Sequence, residues 1–291
     1  MRLGAVVCVR DEAHIIEEWI AHHLALGIER LHILDNLSAD DTRAKIDRIC
    51  SRVPSVTVET WNPPADVHRL AFKRGLDIMQ AEDVEWCAFI DADEFIACGD
   101  PDSSESFAEM LETRHADHAA IGLHWAVFGS SGHIGRPAGL IQEAFLTRAE
   151  DDFPPNRHIK TLVRPRHTPG PNSVHGFATT RPYFTTSGEE ISWQLPYAYT
   201  MNMPQLRDWR LNHYFCQWRE RWAAKVARAR ILGREKTARS EKDWAEHDRN
   251  EVFDPTALRW TPRDREMLLR LGCDPDAPRH PPHMHGRRSP A

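Results

Sequence analysis

Trp86-Cys-Ala-Phe-Ile-Asp-Ala-Asp-Glu-Phe95 is an apolar run that ends abruptly in three carboxylates, Asp91, Asp93 and Glu94. Residues 86–90 are short, aromatic and apolar and follow the acidic Glu82-Asp83, so they read as a buried strand. Asp91 and Asp93 stand at i and i+2, positions whose side chains point to the same side of an extended chain. They fall at the carboxyl end of the strand, where open α/β sheets bind ligands. Two close carboxylates repel each other unless a cation or a proton lies between them. A hard divalent ion, Mg²⁺ or Mn²⁺, suits them, because it needs one or two carboxylates and takes its other ligands from water and phosphate. The competing reading of an Asp-x-Asp string after a strand is a cap for the next helix.

Upstream, residues 3–9 form a continuous apolar run, as expected of a strand covered on both faces. Ile15, Ile16, Trp19, Ile20, His23 and Leu24 then recur at helical spacing, which predicts a helix over 12–26 closed by Gly27. Residues 31–34 read as a second strand, 35–42 as a polar turn and 44–50 as a helix. Alternating Val56 and Val58 predict a strand over 55–60, and Leu70, Ala71, Leu76 and Ile78 a helix over 67–79. This βαβ alternation with right-handed crossovers predicts one mostly parallel sheet. Its carboxyl edge collects Arg10-Asp11, Asp35-Asn36, Trp61-Asn62 and Asp91-Asp93.

Downstream, Ser106 and Glu109 have capping-box spacing for a helix through 113, and 119–128 reads as a strand. Gly129-Ser-Ser-Gly-His-Ile-Gly135 is either a loop that closes over a phosphate or an ordinary surface turn; it lacks the spacing of a Walker or dinucleotide motif. Residues 156–164 look like an edge strand carrying basic residues, 174–177 like a short apolar element containing His175, 187–207 like a loop or lid, and 211–215 like a last strand. A helix over 217–233 turns Trp218, Trp222, Val226 and Ile231 to its apolar side and Arg219, Arg221, Lys225, Arg228 and Arg230 elsewhere. The Pro-, His- and Arg-rich residues 275–291 read as a disordered tail.

A chain of 291 residues can bury a sizeable core, and a net charge of −6 argues against a general nucleic-acid binder. Six cysteines without a Cys-x-x-Cys pair make a zinc site or disulfide framework unexpected. No stretch approaches the ~20 apolar residues of a membrane span. The first apolar run is cut short by Arg10-Asp-Glu12 and reads as a strand, not a leader. A cytoplasmic protein is therefore expected, with peripheral membrane contact left open.

At Val7-Cys-Val-Arg-Asp-Glu12, Glu18-Trp19, His23-x-x-x-Gly27, Leu34-Asp-Asn36, Ser38, Asp41-Thr42 and Phe89-Ile-Asp-Ala-Asp-Glu-Phe95 the sequence resembles the family 2-like glycosyltransferases, specifically the subgroup similar to family 92. Phe128-Gly-Ser-Ser-Gly-His133, Lys160-Thr-Leu-Val-Arg-Pro165, His175 and Leu211-Asn-His-Tyr214 also look like that subgroup, so the resemblance covers roughly residues 1–235. It implies an α/β GT-A fold: a nucleotide-sugar-binding half over 1–97 and an acceptor half over 98–235, here followed by a helical extension over 236–274.

The resemblance further implies a nucleotide-sugar donor, most often a UDP-sugar, inversion at the anomeric carbon, and a glycan or other hydroxyl acceptor, as in polysaccharide assembly. Asp93 would bind the metal and Asp91 the ribose or the metal, with His213 or His175 as a late ligand. Arg10, Asp11 and Asp35 would grip the base and ribose, Asp11 doubling as a helix N-cap. Lys160 is a further donor contact, and Lys225 would reach the diphosphate unless its helix face is merely solvated. Inversion needs a base for the acceptor hydroxyl; Glu143 is the first candidate and Asp152 the alternative, with Asp151 beside it. Glu94 reads as a structural acceptor or a contact to sugar hydroxyls. Trp193, Trp209 and Trp244 are candidates for stacking on acceptor sugars. Two other classes stay open: a metal-dependent nucleotidyltransferase, which lacks here a Gly-rich, Lys-bearing loop, and a non-catalytic nucleotide- or sugar-binding module.

Overall fold

All seven residues of the first strand, β1 (Leu3–Val9), are buried in the computed structural model, which describes residues 1–194, 199–231 and 239–277. Alternation along β1 sends Val7 and Val9 into one core with Trp19 and Ile33, and Val6 and Cys8 into a second with Phe72, Leu76 and Phe89. The sheet is therefore covered on both faces. α1 (Ile16–Ala25), β2 (Arg30–Asp35), α2 (Thr42–Cys50), β3 (Val56–Thr60), α3 (Val67–Ala81) and β4 (Trp86–Phe89) follow in the expected alternation. The strands lie side by side in the order β3-β2-β1-β4, all parallel. Gly75 of α3 faces Val6 so closely that a Cβ there would collide with the valine side chain, which lets the helix lie tight on β1.

α1 begins four residues later than its periodicity predicts. The Glu12 N–H donates to Thr42 Oγ1 at 2.7 Å and the Ala13 N–H to Asp40 Oδ2 at 3.2 Å, so these residues tie the first loop to the second instead of starting the helix. Asp11, at φ 56°, accepts from the Ala39 N–H at 2.6 Å. The α1 N-cap is Ile15, with no side-chain cap, so Asp11 is not the N-cap.

After β4 come β5 (Glu94–Cys98), α4 (Phe107–Arg114), β6 (Ala120–Val127), α5 (Ile141–Ala144), β7 (Ile159–Val163), β8 (Tyr183–Thr185) and β9 (Trp209–His213). The Ser106–Glu109 capping box of α4 is present with both hydrogen bonds. β7 runs antiparallel between β4 and β6. The expected edge strand is thus an interior one, and its lysine is accommodated by a carboxylate on β4's end rather than by water. β6 pairs in parallel with β8 along its first residues and with β9 along its last, and β5 closes the far edge antiparallel to β9. In the Gly129–Gly135 turn the amides of the serines are already bonded: the Ser130 and Ser131 N–H groups donate to Asp248 and Asn250. A phosphate-closing role for these amides is therefore not supported.

α6 (Arg219–Ile231), α7 (Glu241–His247) and α8 (Thr261–Arg270) complete the described chain. α8 packs on α1, where His22 Nδ1 lies 2.9 Å from Asp264 Oδ2. Asp254 Oδ2 accepts from buried Arg148 at 2.6 Å and buried Arg210 at 2.8 Å. The end of the predicted 217–233 helix and the predicted tail from 278 onward lie outside the described residues. Among the described residues no helix is long and apolar enough to cross a membrane.

Candidate active site

The Asp91–Asp93 turn is held by its neighbours. Glu94 Oε2 accepts from the Asp91 N–H at 2.8 Å, and the Trp19 indole N–H donates to the carbonyls of Asp91 and Glu94, each at 3.0 Å. Glu94 is fully buried, and burial pushes its carboxyl well above the ordinary range, with Asp91 and Asp93 adding to the push against Lys160. Glu94 thus acts as scaffold for the turn, while Asp91 and Asp93 are the carboxylates that cationic partners hold in the charged form.

Each of those carboxylates has its own partner. Lys160 Nζ on β7, 1% exposed, donates to Asp91 Oδ2 at 2.8 Å and to the Val174 carbonyl at 3.3 Å. Burial opposes the Asp91 charge, yet Lys160 and then His68 hold its carboxyl below the usual range; its side chain remains 35% exposed. His213 at the end of β9 places Nε2 3.6 Å from Asp93 Oδ1, and Arg239 stands 3.9 Å from Asp93 Oδ2. Against the effect of burial, His213, Lys225 and Arg239 keep Asp93 ionised far below the ordinary range. Burial pushes His213 itself down, against the opposing pull of Asp93.

A gap of 3.6 Å is too long for a hydrogen bond, so His213 and Asp93 face each other without bonding directly. His213 Nδ1 is buried without a partner. Among the described residues no group of three or more His, Cys, Asp or Glu could hold a metal alone. Asp93 and His213 therefore suit an ion that completes its shell with water and phosphate, as Mg²⁺ and Mn²⁺ do. His175 is placed differently: its Nδ1 lies 2.9 Å from the Ile159 carbonyl, and burial with Lys160 pushes it down to about 3. The Trp125 indole packs against both rings, at 4.3 Å from His213 and 5.5 Å from His175, and stacks on His158 at 4.8 Å.

The basic helix α6 contributes to the same place. Burial, reinforced by Arg221, lowers Lys225 to about 8, and Lys225 Nζ lies 3.8 Å from Glu12 Oε1. Arg221 pairs with the other Glu12 oxygen at 2.6 Å. Lys225 thus belongs to the cluster and not to a solvated face. Along the rim, Arg10 reaches Asn36 Oδ1 at 3.4 Å, Asp35 Oδ1 accepts from the Ser38 N–H at 3.2 Å, and the Trp61 N–H donates to the Asp35 carbonyl at 2.8 Å. The ends of β1, β2 and β3 are joined there as the topology predicts.

The two candidate bases lie elsewhere. Both Glu143 oxygens accept from Arg265 at 2.7 Å, and one also caps the Leu140 N–H at 3.0 Å. Asp152 is exposed in a turn beside Asp151, which pairs with Arg148. Sequence reading missed Glu12, Arg239, Trp125 and His158 as members of the cluster. Glu12 was visible at a strand end; Arg239 and Trp125 carry no local signal, since only the tertiary fold brings Arg239 to Asp93 and Trp125 to His213.

No family model matches the chain. Its sequence is similar to curated proteins described as glycosyltransferase family 92 proteins. One from Ricinus communis is 27% identical over 62% of this chain and 32% of its own length, and one from Oryza sativa subsp. japonica is 28% identical over 54% and 26%. One from Arabidopsis thaliana is 26% identical over 57% of this chain and 30% of its own length. The chain thus spans about a third of the length of the curated relatives it matches. Among solved structures, the mannosyltransferase PcManGT of Pyrobaculum calidifontis, in complex with GDP-Man and Mn²⁺, superposes with TM-score 0.39 at 13% identity, over 92% of this chain and 74% of that one. S. aureus TarS 1-349 does so with TM-score 0.37 at 16% identity, over 57% and 47%. By sequence, the chain is similar to glycosyltransferase family 92 proteins.

Proposed function

We propose that this chain is an inverting, metal-dependent glycosyltransferase that moves a sugar from a nucleotide-sugar donor, a UDP-sugar first, to a hydroxyl of a glycan or other acceptor. The observation that carries the proposal is the Asp91–Asp93 turn at the carboxyl edge of four parallel strands, with His213, Lys225 and Arg239 gathered on Asp93. The relationship to family 92 proteins supports the reaction class.

In this reading the bond between the anomeric carbon and the diphosphate breaks while the acceptor hydroxyl oxygen forms its bond on the opposite face and gives up its proton to solvent water. Asp93 and His213 would hold a divalent ion, which would supply Lewis-acid stabilisation of the leaving diphosphate. Lys225, Arg221 and Arg239 supply fixed positive charge around the same group, in a setting where preorganised charges act more strongly than in water. Lys160 holds Asp91 in place, and the rim from Arg10 to Asp35 receives the nucleoside. Glu143 is locked onto Arg265 and Glu94 is buried in the turn, so neither serves as the base.

The test is mass spectrometry of reactions with UDP-, GDP- and dTDP-sugars and Mn²⁺. Release of nucleoside diphosphate from one donor, with a product of inverted anomeric configuration by NMR, is expected. Release of pyrophosphate instead would replace this reading with the nucleotidyltransferase one.

A further inference from the structure

Beyond the Asp91–Asp93 turn, residues of the second half of the chain wall a cavity of about 470 Å³, among them Asn172, Phe177, Arg181, Tyr183, Glu190 and Trp193. Phe177 and Tyr183 are buried and form its floor. They are locked together: the Tyr183 hydroxyl accepts from the Phe177 N–H at 2.7 Å and donates to the Phe177 carbonyl at 3.0 Å. Tyr183 therefore presents ring rather than hydroxyl, and half-buried Trp193 stands edge-on to it, with centroids 5.2 Å apart at 82°.

The rim is polar. Asn172, Arg181 and Glu190 are exposed, and Arg181 donates one N–H to the Asp117 carbonyl at 2.8 Å. The opposite charges of Arg181 and Glu190 cancel, which disfavours a phosphate or a nucleotide here. A wholly apolar ligand would strip water from these rim groups without replacing it. A neutral saccharide satisfies both parts, its C–H faces lying on the aromatic rings and its hydroxyls meeting planar amide, carboxylate and guanidinium groups.

The position also fits. Asn172 and Gly176 close one tight turn, the Asn172 N–H donating to the Gly176 carbonyl at 2.9 Å. The same turn carries Val174, whose carbonyl accepts from Lys160, the residue that holds Asp91. One turn of chain thus separates the cavity from Asp91. Of the three tryptophans considered for stacking, Trp209 is buried on Phe107 and Trp260, and Trp244 packs edge-on to Trp222 beneath Arg219. Trp193 is the one that lines a described cavity.

We infer that this cavity is a saccharide subsite that holds a neutral sugar unit of the acceptor, beyond the unit that receives the transferred sugar. The inference rests on the glycosyltransferase reading and names its acceptor class: an oligosaccharide of at least two units, not a lone small alcohol.

The test is binding of neutral trisaccharides (cellotriose, chitotriose, mannotriose and xylotriose) without donor, by saturation-transfer NMR and tryptophan fluorescence, to wild type, Trp193→Ala, Asn172→Ala and Asp93→Ala. At least one trisaccharide is expected to bind wild type and Asp93→Ala alike, and to bind both cavity variants about tenfold more weakly. Asn172 is exposed, so its variant separates loss of a contact from local collapse around Trp193. Equal binding by wild type and both cavity variants overturns the subsite, as does failure of every trisaccharide to bind. Nucleoside diphosphate binding to the same proteins reports on the donor reading separately: it is expected to survive both cavity substitutions, and its absence from wild type sinks that reading and not the cavity result.

Discussion

Replacing Lys160 by Met tests how the site is built. Methionine keeps much of the apolar volume over Phe72, whose ring centroid lies 5.6 Å from the ammonium, but removes the charge. Stripping one partner from a fully buried ion pair costs about 3–5 kcal/mol, because the other charge is left uncompensated. Asp91 is 35% exposed, so water re-solvates it and screening lowers the cost to about 2 kcal/mol. With an unfolding entropy of ~2.1 cal/mol/K per residue, a 291-residue chain has ~0.6 kcal/mol/K, so Tm should fall by about 3 °C. The pH dependence has a defined sign. Asp91's folded-state carboxyl lies below its unfolded value, so its contribution is present above about pH 4 and is lost as pH falls through the folded value. The Tm gap should therefore be full at pH 7 and narrow in acid. The assay is a double-mutant cycle with Asp91→Asn by thermal unfolding, where a coupling of about 1–2 kcal/mol is expected. Additivity at pH 7 would refute the pairing as the element that fixes the turn.

Other expectations follow from the same contacts. Asp254→Ala leaves buried Arg210 without its carboxylate and Arg148 with only the exposed Asp151, so a loss of about 3–5 kcal/mol is expected in urea unfolding. Burial opposes the Asp254 charge, but Arg210 and Thr256, then Arg148, hold its carboxyl low; the difference from wild type should be complete above about pH 4 and shrink as pH falls further. Glu143→Gln should cost about 1 kcal/mol through its Arg265 pair while kcat stays within about threefold; a kcat loss of more than about a hundredfold with donor binding intact would make Glu143 the base after all. Gly75→Ala should destabilise by about 1–3 kcal/mol, since the added methyl group meets Val6 across the α3–β1 contact; unchanged stability would mean the contact is looser than described.

Much of the parallel half was legible because its signals are local. The apolar run of β1, the Gly27 stop and the Ser106–Glu109 box each depend on residues a few positions apart, and each is found. Asp91 and Asp93 were legible for the same reason, as charges placed abruptly after an apolar strand. What failed to show depends on pairing across the chain. Lys160 made β7 look like an edge strand, because nothing near it in sequence announces the Asp91 that neutralises it. Glu12 and Ala13 look helical until their amides are seen to bond Thr42 and Asp40. His213 and His175 could not be ranked from sequence, since both lie in short apolar segments; the register of β9 against β5, which sets His213 opposite Glu94, brings the former to Asp93. Asp254 and Asp264 carry no local pattern at all, yet they bind the C-terminal segments to β9 and α1.

The central claim is that Asp93 and His213 together hold a divalent ion on which a nucleoside diphosphate docks. It is tested most directly by calorimetric titration of the uridine, guanosine, adenosine, cytidine and thymidine diphosphates, with and without Mn²⁺, into wild type, Asp93→Ala and His213→Ala. One nucleotide is expected to bind wild type only with Mn²⁺, and to bind each variant at least about thirtyfold more weakly, as loss of one of two protein ligands requires. Equal affinity in wild type and Asp93→Ala, or binding indifferent to Mn²⁺, would contradict it.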